Sequence, residues 1–164
     1  MRGYTTGAVA LASLGVLAAC GSSGGPGAGC TLIGAATGVR LDIRPPFAAR
    51  VAHASMTVCH DGSCRTPEVR LDPSTTTRPG ACTGDTCSAT AVRTGGWYGF
   101  ADVPGLAKSP VKVTVELRGT SGDRVLRRTV TVTPKGVFPN GPHCGETGHQ
   151  ASVVVADGEL RAGG

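Results

Sequence analysis

The chain has few of the groups from which most cores and active sites are built. Aromatic residues make up 4% of its 164 residues. Beyond residue 20 they are Phe47, Trp97, Tyr98, Phe100 and Phe138, so a core must come mainly from Val, Leu and Ala. No window of helical length carries an apolar stripe, and 26 glycines and 11 prolines punctuate the chain, which excludes a helical fold. Basic residues are scattered, with Arg127-Arg128 the one adjacent pair; without an aromatic-interleaved basic stripe, nucleic acid is excluded as a partner. Catalytic signatures are missing too. Gly119-Thr120-Ser121-Gly122 lacks the Gly-x-Ser-x-Gly spacing and falls in a hairpin turn. His60-Asp61 and the Asp157/Glu159 pair are neighbours in sequence, which assigns neither an acid nor a base. No catalytic residue and no cofactor is assigned, and a non-enzymatic protein is expected.

What is present begins at the N-terminus. Arg2 is followed by residues 7–19, GAVALASLGVLAA, an uncharged apolar run. That run is shorter than the about 20 residues a membrane span needs and has the form of a signal-peptide core. Leu17-Ala18-Ala19-Cys20 resembles the lipobox of bacterial lipoproteins. The resemblance implies a leader over 1–19, cleavage before Cys20, and a diacylglyceryl anchor on the Cys20 thiol. A single acyl chain holds only reversibly, at ~0.8 kcal/mol per buried CH₂, so a diacyl anchor is what retains a protein at a membrane. Residues 21–29, GSSGGPGAG, read as a flexible tether, which sets 20–29 as lipidated residue plus tether and 30–164 as one domain of ordinary size. Losing Arg2 with the leader lowers the formal charge from +5 to +4, a mildly basic surface suited to an anionic envelope.

With Cys20 committed to lipid, Cys30, Cys59, Cys64, Cys82, Cys87 and Cys144 remain. An even number in an exported chain implies disulfides. Cys59-His-Asp-Gly-Ser-Cys64 and Cys82-Thr-Gly-Asp-Thr-Cys87 both read as hairpin tips closed by a local bridge. Ala52, Ala54, Met56 and Val58 share one strand face, which puts Cys59 on the polar face with Cys64. By elimination Cys30 pairs with Cys144. Closing a loop of roughly 115 residues contributes about 5 kcal/mol in the chain-entropy account, against about 2 kcal/mol for each short loop.

The dominant period is 2. Val39, Leu41 and Ile43 alternate with Arg40, Asp42 and Arg44; Val111, Val113, Val115 and Leu117 alternate with Lys112, Thr114 and Glu116; Leu126, Val130 and Val132 follow a Gly-Thr-Ser-Gly-Asp turn. Residues 152–156, SVVVA, read as a closing strand. These patterns predict half-buried antiparallel strands. Residues 71–84, LDPSTTTRPGACTG, polar and with Pro73 and Pro79, read as a long surface loop. The strand, Pro-Gly turn, strand and hairpin run over 99–133 is similar to that of small Ig-like, prealbumin-like and carboxypeptidase-regulatory-like sandwiches. The expected fold is all-β: an antiparallel Ig-like β-sandwich of about seven strands, stapled by disulfides.

One segment offers alternative chemistry. His143-Cys144-Gly-Glu-Thr-Gly-His149-Gln150, ahead of the last strand, resembles the copper loop of cupredoxins. It implies Cys144 and His149 as ligands, Gln150 as an axial ligand, and His53 or His60 as the upstream imidazole. That is the runner-up: a copper-binding electron-transfer or metal-handling lipoprotein. The main expectation has Cys144 in a disulfide. Trp97 and Tyr98 are surface-contact candidates, one of them core, since alternation turns them to opposite faces.

The expectation is therefore a lipoprotein at the outer face of the cytoplasmic membrane. It is held in lipid by its acyl anchor, and its interaction or envelope-structural domain has an envelope protein or wall polymer as partner. Replacing Cys20 with Ala is expected to move the protein from the membrane fraction to the medium, read by fractionation; retention in the membrane would remove the anchor assignment.

Overall fold

Strand formation here follows from β-branched residues alternating with polar ones, because Val, Ile and Thr pack well on a pleated, half-buried surface. The computed structural model describes residues 29–164; the leader over 1–19, Cys20 and the tether up to residue 28 lie outside the described residues. The folded unit spans Thr31–Gly164 and contains eleven strands. They are β1 Gly38–Ile43, β2 His53–His60, β3 Ser63–Arg65, β4 Glu68–Val69, β5 Leu71–Thr83, β6 Thr86–Asp102, β7 Val111–Arg118, β8 Arg124–Val132, β9 Lys135–Val137, β10 Gly148–Ala156 and β11 Glu159–Ala162. About seven strands are expected from the sequence, and the described residues contain eleven; β3, β4, β9 and β11 have four residues or fewer.

Two sheets form. Sheet A runs β11-β10-β1-β6-β5, with β9 against β10, and sheet B runs β3-β2-β7-β8, with β4 against β2. Sheet A curls into a half-barrel. One pairing departs from the antiparallel expectation: β1 and β10 run parallel, Val39 opposite Ala151, Leu41 opposite Val153 and Ile43 opposite Val155. The inward residues of both strands are apolar and fully or nearly buried, and the register keeps the two valine-rich faces on the same side.

Between the sheets lie Val39, Leu41, Ile43, Ala101, Val153 and Val155 from sheet A and Met56, Val58, Val113, Val115 and Leu117 from sheet B. Among the described residues no polar or charged side chain is buried with them. Gly99, opposite Leu41, is required there: a Cβ would lie 2.7 Å from Val69 Cγ1 and 2.9 Å from the Arg70 carbonyl oxygen, so only glycine lets β4 pass so close to β6.

The surface-loop expectation over 71–84 is corrected. Residues 71–83 are strand β5, paired with β6 from Leu71↔Gly99 to Thr83↔Thr86, with irregularities after Pro73 and Pro79. From residue 75 to residue 91 every position is exposed, so this part is a two-stranded ribbon solvated on both faces. It lacks the apolar alternation that marks a half-buried strand, which is why it reads as a loop. Its prolines are compatible with strand structure because β5 is the edge of sheet A and an edge strand has one row of N–H groups with no ladder partner.

The disulfides follow the expected local pairs. Cys59 is bonded to Cys64 and Cys82 to Cys87, each pair sitting directly across its hairpin. Cys30 and Cys144 are each in a disulfide too.

Leu41, fully buried at the centre of β1, is the sharpest probe of this packing. Leu41→Ala is expected to destabilise the domain by about 2–5 kcal/mol through lost burial and a residual cavity, measured as a lower urea midpoint; a loss well under that range would mean the two sheets close over β1 less tightly than described.

Candidate functional site

β6 lies between β1 and β5, and its alternation sorts its side chains. Gly99 and Ala101 face the core with Trp97, which is half-buried and packs against the core while its Nε1 donates to the Ala48 carbonyl at 3.1 Å. Tyr98 and Phe100 lie on the opposite, solvent side, Tyr98 at 41% exposure. Of the two surface-contact candidates, Tyr98 is thus the one presented outward.

Around Tyr98 the strand register builds a groove. Arg40 lies opposite Phe100 and Asp42 opposite Tyr98 on β1, with the Arg40 guanidinium held by Asp42 at 2.9 Å. Phe100 leans over Gly38, where a Cβ would fall 2.9 Å from the ring. Ser74 and Thr75, at the root of the ribbon, close the other side, and the groove of about 410 Å³ is lined by Arg40, Ser74, Thr75, Tyr98, Gly99 and Phe100. Two aromatic rings, a tethered guanidinium and two hydroxyls suit stacking and hydrogen bonding to a flat polar ligand. The alternation that exposes Tyr98 turns the half-buried Phe100 to the same side; Arg40 joins them only through the β1–β6 register.

A second cluster grips the β6–β7 connection, 103–110, from both sheets. His60 Nε2 meets Ser109 Oγ at 2.5 Å on the sheet B side, with Asp61 Oδ2 at 3.4 Å from the same nitrogen. Ser, His and Asp do not form a relay there, because both partners address one ring nitrogen and Nδ1 is left unoriented by the carboxylate. On the sheet A side His149 Nδ1 donates to the Leu106 carbonyl at 2.8 Å and its Nε2 faces Glu146 Oε1 at 2.6 Å, while Lys108 Nζ reaches both Glu146 oxygens at 3.1 Å. The Lys108 hydrogen bond, with a smaller contribution from His149, holds the Glu146 carboxyl below its ordinary 4.5 against an opposing desolvation effect. Lys108 and Glu146 are 38 positions apart, beyond any local pattern. The small cleft beside His60, about 160 Å³, is lined by Arg65 and by residues 103–107.

The copper residues are not assembled. Cys144 is in a disulfide, which withdraws the thiolate such a site needs. Both ring nitrogens of His149 already have partners, and the Gln150 amide donates to the Ala36 carbonyl at 2.7 Å. His53 opens β2 opposite Arg118, and His60 is engaged with Ser109. Among the described residues no group of three or more His, Cys, Asp or Glu is placed to hold a metal ion.

No known family matches the sequence, and comparison with characterised proteins and with solved structures likewise gives no match.

The Lys108–Glu146–His149 clasp has a definite pH signature. Since the folded-state value of Glu146 is lowered from 4.5, its contribution is fully present above the unfolded value and is lost as pH falls through the lower folded value. Glu146→Gln is therefore expected to lower the urea midpoint at neutral pH, with the difference from wild type vanishing as pH drops below the ordinary carboxylate range. A difference independent of pH would show that the clasp is not electrostatic.

Proposed function

We propose that the chain is a lipid-anchored lipoprotein at the outer face of the cytoplasmic membrane, and that its domain, an Ig-like sandwich, is a non-enzymatic interaction module. The observation that carries this reading is the groove around Tyr98, where an exposed aromatic ring lies with Phe100, Arg40, Ser74 and Thr75 on the outer face of sheet A. A wall polymer suits it best: sugar rings stack on aromatic faces, and the flanking guanidinium and hydroxyls supply donors and acceptors for their hydroxyl groups. The leader and Cys20 supply the location, and oxidised cysteines at 30, 59, 64, 82, 87 and 144 fit an extracytoplasmic compartment. The domain would then present the groove from the membrane surface, at the end of a tether of roughly ten residues.

Co-sedimentation of the protein with isolated wall polymer tests the reading. Wild type is expected to pellet with the polymer, and Tyr98→Ala to weaken binding roughly 30-fold, the effect of removing an aromatic anchor worth about 2 kcal/mol. Equal binding by the variant would remove the groove from the interaction; hydrolysis of the polymer by the purified protein would overturn the non-enzymatic assignment.

A further inference from the structure

The ribbon formed by β5 and β6 beyond Pro73 and Trp97 is an unusual object for so small a core. Residues 75–91 are all exposed, and Cys82–Cys87 closes the tip. A two-stranded ribbon has two open edges, each a row of unpaired backbone groups that templates pairing with another chain. Here the edges differ. The β5 edge carries Pro73 and Pro79, which lack donors and blunt it. β6 is paired with β1 only over 97–102, and among the described residues no strand lies against its other side from Thr86 to Arg93. That stretch, TCSATAVR, contains no proline and no glycine.

We propose that the bare β6 edge is the docking site for a second copy of the same chain, pairing antiparallel with its counterpart so that two ribbons join into a four-stranded one, β5-β6-β6-β5. The inference is independent of the wall-polymer reading, which concerns the outer face of sheet A. Charge complementarity identifies the partner and the register. Between Gly84 and Gly96 the strand and its turn hold two charges, Asp85 and Arg93. Asp85 stands in the turn just before the strand and Arg93 near the far end of its exposed stretch. Antiparallel self-pairing centred on Ala89 brings Arg93 of each copy to the Asp85 turn of the other, at both ends of a run of small side chains, Thr86 to Val92. Opposite charges across a ladder stabilise it, and in a strand polar on both faces they are what pins the register. Because the contact is isologous and the outer edges are the proline-bearing ones, the assembly closes at two copies rather than growing as a fibre.

Sedimentation equilibrium of the full chain in density-matched detergent tests this. Wild type is expected to reach a dimer. Arg93→Asp and Asp85→Arg each place like charges opposite one another in the paired state and are expected to weaken dimerisation at least about tenfold. Mixing the two variants in equal amounts is expected to restore it, since one variant then presents a carboxylate at both positions and the other a guanidinium at both. A structural role of either residue within its own ribbon would not be rescued by mixing. A wild type that stays monomeric, single variants that dimerise as wild type does, or a mixture that fails to recover would each overturn the proposal.

Discussion

β1 is the strand on which the rest of the domain depends. It is hydrogen-bonded along both edges, parallel to β10 and antiparallel to β6, and its inward residues Val39, Leu41 and Ile43 are at most 1% exposed. Few places in a domain this size offer a segment of six residues whose ladder is complete on both sides. By bringing an early strand against the penultimate one it closes the chain topologically, and by flanking β6 it sets which of that strand's residues look outward. Tyr98 and Phe100 face solvent because Trp97, Gly99 and Ala101 are committed to Ile43, Leu41 and Val39.

Scarcity of aromatic residues shapes the remainder. A core of Val, Leu and Ala with Ile43, Met56 and a single buried Phe47 buries less surface per residue than one built on several Phe and Trp, since each aromatic side chain buries about 150–250 Å². Covalent closure compensates, and it does so where packing is weakest. Cys59–Cys64 and Cys82–Cys87 both sit at hairpin tips with exposed surroundings. Trp97 is used partly as a strut, its indole nitrogen tied to the backbone of the 3-10 turn Phe47–Arg50. Polar ties do the same at the other end of β6, where Lys108, Glu146, His60 and His149 hold the crossing between the two sheets.

Legibility in the sequence followed burial. Where one face of a strand is buried, alternation is imposed by the pleat, and β1, β7 and β8 are readable from their Val and Leu positions. The alternate cysteines of the β2–β3 hairpin are readable for the same reason. Where both faces are solvated, as over 75–91, nothing imposes a period, and a strand of β-branched threonines is written like a loop. The copper resemblance rests on spacing: His149 and Gln150 stand at the spacing a ligand loop would use, but spacing does not say what else the fold brings near. Leu106 and Ala36 arrive from other parts of the chain and, with the nearby Glu146, engage both ring nitrogens of His149 and the amide nitrogen of Gln150.

Composition and periodicity by themselves determined that this is an all-β chain with hairpins closed at Cys59–Cys64 and Cys82–Cys87, because those properties depend on residues a few positions apart. They also turned Trp97 and Tyr98 to opposite sides of β6, while the packing decided which side is core. The parallel seating of β10 beside β1, the ribbon with its guarded and bare edges, the groove that joins Arg40 to Tyr98, and the clasp joining Lys108 to Glu146 were decided by tertiary structure alone. Each depends on the register between strands distant in sequence, and register is set by the joint burial of two faces, a quantity no single segment contains.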